Sequence, residues 1–226
     1  MLIEIDHVTH DYGTRRVLDD VTVRLEEARI GVVGANGSGK STLARLLNGL
    51  VLPTEGEVRV GGLITAQNAR AVRRRVGFCF TDPDAQIVMP TVGEDVAFGL
   101  RRLKLGRAEV TARVDAALRT YGLAGLADHP AHLLSGGQKQ LLALTSVVVT
   151  EPDLLVLDEP TTLLDLQNTR RVTQLIAALP QQVVLVTHDL DVVTGFDRVL
   201  VVDQGRLVAD GAPAEALAHY VRLMTP

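Results

Sequence analysis

The stretch Val32–Ser41 reads VVGANGSGKS. It joins a short apolar run, Arg29–Val33, to a helical stretch at Leu43–Leu50 that Pro53 closes. Glycines at 34, 37 and 39, with Ala35, Asn36 and Ser38 between them, let the backbone bend and approach an anion closely. Successive N–H groups then converge on a phosphate, and the start of the following helix adds its positive dipole end. The spacing G-x-x-x-x-G-K-[ST] puts Lys40 within reach of β- and γ-phosphates and offers the Ser41 hydroxyl to Mg²⁺, with Thr42 as one more hydroxyl. A strand, this loop and a helix, in that order, are what the mechanism requires.

Working outward, Leu2–Val8 and Val21–Leu25 alternate apolar and polar residues and read as half-buried strands around a turn at Tyr12-Gly13. Glu57–Val60 and Gly61-Gly62 form another hairpin arm, and Val76–Phe80 a further short strand. From about Thr91 to Val149 the period becomes helical. Val92, Val96, Leu100 and Leu103 share one face, and Val110, Val114, Ala117, Leu118 and Tyr121 another. Strands then return. Leu154–Leu157 and Val183–Val186 are continuous apolar runs, as expected of central parallel strands covered on both faces. Val199–Val202 and Arg206–Val208 form a hairpin about Asp203-Gln204-Gly205, and Ala214–Met224 is a closing amphipathic helix.

The 226 residues suffice for one large domain. A net charge of -4 argues against nucleic-acid binding driven by bulk charge. The single cysteine, Cys79, lies in an apolar run and reads as a buried, inert thiol, so no disulfide framework is possible. The N-terminus MLIEIDHVTH lacks the charged and apolar regions of a signal peptide, and no apolar run is long enough to cross a bilayer. If the protein serves a membrane, it does so through partners.

Two acids stand where a buried strand stops, Asp158 and Glu159 in LLVLDEP. Ligands of open α/β sheets bind at the carboxyl ends of strands. Asp158 is the candidate holder of Mg²⁺, and Glu159 the candidate general base for an attacking water. His188 follows the other apolar run and belongs to the same edge, as a candidate γ-phosphate contact. A second anion element, Leu134-Ser135-Gly136-Gly137-Gln138, opens the helix Lys139–Val149.

In order, Tyr12, GANGSGKST, LSGGQ, LLVLDEP, Thr161–Asp165 and VTHD resemble the nucleotide-binding subunit of an ABC transporter, over essentially the whole chain. The resemblance implies an α/β fold: a P-loop NTPase (RecA-like) core with an N-terminal antiparallel β-subdomain and an inserted α-helical subdomain. Residues 1–83 and 150–226 would form the catalytic lobe, and 84–149 the helical lobe. It further implies ATP and Mg²⁺ as ligands and a head-to-tail homodimer. ATP on Lys40 of one copy would be capped by Ser135, Gly136, Gly137 and Gln138 of the other. Tyr12 matches the aromatic that stacks on adenine, Asp165 the D-loop acid and His188 the switch histidine. Leu163-Leu164-Asp165 departs from the usual Gly-Leu-Asp, and Leu141 stands where an Arg commonly follows the signature.

The stretch Gly77–Pro90, GFCFTDPDAQIVMP, with TVGEDVAFG after it, resembles the energy-coupling-factor branch, which imports vitamins or transition-metal ions. Thr81 stands where the Q-loop glutamine is usual, and Gln86 matches the branch's second glutamine. Ile87, Val88 and Met89 would face an integral membrane coupling subunit, beside a substrate-binding membrane subunit, with this chain peripheral on the cytoplasmic face. The basic clusters Arg70–Arg75 and Arg101–Lys104 read as solvated faces. The rival reading is a soluble ABC ATPase, such as one serving iron–sulfur assembly. Among substrates, another vitamin, cobalt and nickel are compatible, and biotin is favoured because the chain stops soon after its last core helix.

Overall fold

The computed structural model describes residues 1–162 and 164–225. Leu163, one of the D-loop positions, lies outside the described residues. The chain divides into two compact units: Met1–Val76, Asp153–Glu159 and Gln181–Pro226 form the first, and Gly77–Pro152 with Pro160–Pro180 the second. The segments Gly77–Pro83, Thr150–Pro152 and Pro160–Pro180 thus group with the helical residues rather than with the lobe to which the sequence assigns them.

The first unit opens with an antiparallel sheet of order β2-β1-β4-β5: β1 (Ile3–Tyr12), β2 (Arg15–Leu25), β4 (Glu55–Val60) and β5 (Leu63–Ile64). Both β1 and β2 run longer than their alternation suggests. Ile3, Ile5 and Val8 all face inward, although strict alternation would bury residue 7. The register shifts between Ile5 and Val8, and His7 takes a φ of 47° there, so a bulge returns Val8 to the core side.

The second sheet has the order β10-β9-β3-β8-β7-β6. Strands β3 (Arg29–Val33), β8 (Gln182–Val186) and β9 (Arg198–Asp203) are parallel neighbours. β7 (Leu154–Asp158) lies parallel to β8, β10 (Arg206–Gly211) closes the far edge antiparallel to β9, and β6 (Val76–Cys79) leads into the second unit. Every residue of β7 and β8 is buried, as their unbroken apolar runs demand. The carboxyl ends of β3, β7 and β8 therefore share one edge, and the glycine loop, Asp158-Glu159 and His188 all leave from it.

Helix α1 spans Lys40–Leu46 and ends earlier than the sequence suggests, because Gly49 takes a φ of 66° well before Pro53. Helix α2 (Thr65–Arg75) carries the basic cluster and was not legible as a helix: its fully buried side chains are Thr65 and Val72 only, and it kinks at Asn68. Helix α8 (Pro213–Met224) closes the chain.

In the second unit, α3 (Val92–Leu100) buries Val92, Val96 and Leu100 on one face, as their spacing requires. Leu103 falls beyond the helix end and is exposed. α4 (Arg107–Thr120) buries Val114 and Leu118, and α5 (Gly136–Val148) is buried almost all round. α6 (Leu166–Ala178) is capped by Asp165 and buries only Val172 and Ile176, too sparse a stripe to stand out from sequence. The short α7 (Leu190–Val193) belongs to the first unit. Cys79 is buried.

Leu155 is wholly buried in β7. Leu155→Ala is expected to destabilise the protein by about 2–5 kcal/mol through lost transfer energy and a residual cavity. Urea unfolding checks this; a loss under about 1 kcal/mol would mean that the central strands do not form the core.

Candidate functional site

Gly34 leaves β3 with a φ of 156°, and a Cβ there would stand 2.1 Å from the Val202 carbonyl oxygen. Gly39 has a φ of 108°, and its Cβ would meet the Val17 carbonyl at 2.7 Å. These two glycines press the loop onto its neighbours. Gly37 differs: with a φ of 78°, its Cβ would find nothing nearer than the Arg15 guanidinium at 3.9 Å. A shallow depression of about 230 Å³ opens here, lined by Tyr12, Arg15, Val17, Gly37, Lys40 and Thr42 among others. Tyr12 is half exposed at its rim and meets His10 edge-on at 4.5 Å. Sequence reasoning missed Arg15, a cation three residues beyond Tyr12 on the same hairpin.

Lys40 is only 6 % exposed. Its Nζ donates to the carbonyls of Gly34 and Ala35, at 2.9 Å each. Burial pulls its pKa below the usual lysine value, opposed by the nearby carboxylates of Glu159 and Asp158. The Ser38 hydroxyl is buried and has no hydrogen-bond partner among the described residues. A buried cation, an orphaned hydroxyl and an open glycine make a cradle that an anion fits.

Asp158 ends β7 fully buried. The Ser41 hydroxyl donates to its Oδ1 at 2.8 Å, and Arg45 approaches its Oδ2 at 3.7 Å. Burial raises the Asp158 pKa; the Ser41 hydrogen bond and Arg45 oppose that. Arg45 was missed too, although its i+4 spacing from Ser41 puts both on one helix face. Glu159 takes a φ of 54°, uncommon for a residue with a side chain, and its N–H donates to the Val186 carbonyl at 2.9 Å. That turn aims its carboxylate at His188, whose Nδ1 donates to Oε2 at 2.6 Å. Lys40, Ser41, Asp158, Glu159 and His188 therefore converge at one sheet edge of the first unit.

The remaining candidates belong to the second unit. Ser135 caps α5 in a capping box: its Oγ accepts from Gln138 N at 3.3 Å, and its own N–H donates to Gln138 Oε1 at 2.9 Å. A Cβ on Gly137 would strike the Asn168 side chain at 2.6 Å. Gly136 faces open space, so packing does not demand a glycine there. Asp165 accepts from Asn168 N at 2.8 Å. Gln86 is engaged at both ends of its amide: Oε1 accepts from Phe80 N at 3.1 Å, and Nε2 donates to the Ala143 carbonyl at 2.8 Å. Thr81, just past β6, is half-buried. Val88 is 61 % exposed, while Ile87 and Met89 are half-buried. All three line a depression of about 300 Å³ with Asp84, Pro90 and His132. Leu141, at the usual arginine position, is buried in α5.

Among the described residues no helix is long and apolar enough to cross a membrane. Residues 18–162 match the ABC transporter family. A putative ABC transporter ATP-binding protein of Deinococcus radiodurans is 57% identical, over 99% of each chain. The biotin transport ATP-binding protein BioM of Rhizobium etli is 48% identical, over 97% of this chain and 98% of that one. The energy-coupling factor transporter ATP-binding protein EcfA1 of Levilactobacillus brevis is 40% identical, over 99% of this chain and 83% of the other. Among solved structures, cbiO1 of Clostridium perfringens, part of the complex cbiONQ, superposes with a TM-score of 0.84 at 32% identity, covering 97% of this chain and 92% of that one. The ADP- and Pi-bound dimer of the ATP-binding cassette MJ0796 gives a TM-score of 0.83 at 26% identity, over 93% of this chain and 98% of the other. The chain belongs to the ABC transporter family, as an ATP-binding, ATP-hydrolysing subunit of its energy-coupling-factor type.

Proposed function

We propose that this subunit powers uptake of a micronutrient, biotin first among candidates, from the cytoplasmic face of the membrane. It would do so as a homodimer docked on an integral coupling subunit that works with a membrane-embedded substrate-binding subunit. The relatives named for biotin transport support the substrate. The observation that carries the chemistry is the Ser41–Asp158 hydrogen bond beside buried Lys40.

The loop N–H groups and Lys40 bind the β- and γ-phosphates; Lys40 exchanges its two carbonyl partners for phosphate oxygens. Tyr12, half exposed at the rim, stacks on adenine. Ser41 and Asp158 offer hard oxygen ligands of the kind Mg²⁺ takes, directly or through water. Once bound, that ion neutralises charge on the phosphates. Glu159 accepts the proton of the attacking water, whose oxygen bonds to the γ-phosphorus as the bond to the β-γ bridging oxygen breaks. His188 orients the Glu159 carboxylate through its 2.6 Å hydrogen bond and turns toward the γ-phosphate. The N–H groups of Gly136 and Gly137, at the head of α5, with the side chains of Ser135 and Gln138, cap the ATP of the partner copy. Asp165 lies at the subunit contact. The dimeric cassette with ADP and Pi supports this pairing. Ile87, Val88 and Met89 present the surface for the coupling subunit, and Thr81 and Gln86 precede them in the same loop.

Glu159→Gln is expected to leave ATP binding intact, to slow hydrolysis at least about 100-fold and to accumulate an ATP-bound dimer. Phosphate release and sedimentation measure both; hydrolysis near the wild-type rate would remove Glu159 from the role of base. Ile87→Asp combined with Met89→Asp is expected to keep ATPase activity of the isolated subunit within about threefold, since neither side chain is fully buried and neither belongs to the unit that holds Lys40 and Asp158, while abolishing assembly with the membrane subunits. Intact assembly would mean that this depression is not the docking surface.

A further inference from the structure

Three polar ties join the loop 82–89 to one face of α5. Lys139 Nζ donates to both oxygens of Asp84, at 2.7 and 3.0 Å. Gln86 Nε2 donates to the Ala143 carbonyl at 2.8 Å. Asp95, on α3 and only 4 % exposed, supplies the third. Its Oδ1 accepts from Val88 N and Met89 N at 2.9 and 3.1 Å, and its Oδ2 accepts from Ser146 Oγ at 2.8 Å. Residues 139, 143 and 146 follow the i, i+4, i+7 spacing of a single helical stripe, spanning about 10 Å of axis. The same helix begins at Ser135-Gly136-Gly137-Gln138.

We propose that Asp95, Ser146 and Gln86 are positioning residues that clamp the loop 82–89 to α5, so that engagement of Ile87–Met89 moves the Ser135–Gln138 cap as one rigid body. This rests on the reading that Ile87–Met89 dock a membrane subunit and that Ser135–Gln138 cap ATP. Losing Asp95 would leave two backbone N–H groups and one hydroxyl without this acceptor, a cost that favours the arrangement in which all three are bound. A packed element with satisfied polar ties passes displacement on rather than absorbing it.

The test uses the complex purified through a tag on this chain, reconstituted in vesicles, with uptake and ATP turnover read together. Asp95→Asn with Ser146→Ala is expected to leave assembly complete and ATPase activity of the isolated subunit within about twofold, because neither residue touches the nucleotide site. Uptake and complex-borne ATP turnover are expected to fall at least fivefold, and Ser146→Thr alone, which keeps the hydroxyl, to work normally. Unchanged uptake in the double variant would overturn the clamp. So would loss of assembly, or an equal loss in the isolated subunit, since either assigns Asp95 to support of the fold. Failure of the docking reading shows separately, as intact assembly of the Ile87→Asp, Met89→Asp protein.

Discussion

The hydrogen bond from Ser41 to Asp158 joins the residue after the glycine loop to the last residue of β7, across the intervening strand β8. The rest of the site depends on that link. It holds a carboxylate that burial alone would push toward its neutral form, next to a lysine that burial pushes the same way. Two desolvated groups of opposite charge, each biased toward neutrality by the loss of water, form a site preorganised for a ligand carrying both charges. A nucleotide triphosphate with its divalent cation is such a ligand. Glu159 stands one residue further, in a backbone conformation that its side chain does not favour; strain of this kind persists where the surroundings over-determine the residue.

The parts of this arrangement built from continuous or strictly spaced patterns are legible in the sequence. β7 and β8 announce themselves because both faces are covered, and the glycine loop because its spacing has one mechanical purpose. The helical face of Val92, Val96 and Leu100 is equally plain, as is the helix that Ser135–Gln138 opens. Where the chain departs from a simple period, legibility fails. The bulge at His7 lets β1 bury residues two and then three apart. α2 and α6 each bury one or two large side chains, so their helical character comes from tertiary contacts and capping rather than from a stripe. Arg15, Arg45 and Asp95 are charged residues that a sequence offers in plenty; only the fold says which carboxylate or loop each one meets.

Gln86 illustrates the same limit. Its place in an apolar loop suggests a partner-facing side chain, yet both ends of its amide serve the unit's own backbone. The loop's exposed apolar residue, Val88, is held outward by backbone hydrogen bonds to a buried acid, so the surface it presents is built rather than left over. Gly136 carries the complementary message. Packing leaves space where its side chain would be, which agrees with the proposed approach of a partner copy's ATP.

On the proposed reading, one working site is made from two copies, Lys40 and Asp158 from one and Ser135–Gln138 from the other. Mixing Lys40→Ala protein with Ser135→Arg protein probes this pairing. Each variant alone is expected to be inactive, and the mixture, after subunit exchange verified by a label, to recover up to about a quarter of wild-type ATPase activity, since half the dimers are mixed and each holds one intact site. An inactive mixture with exchange demonstrated, or a Ser135→Arg protein that turns over ATP normally by itself, would contradict the account.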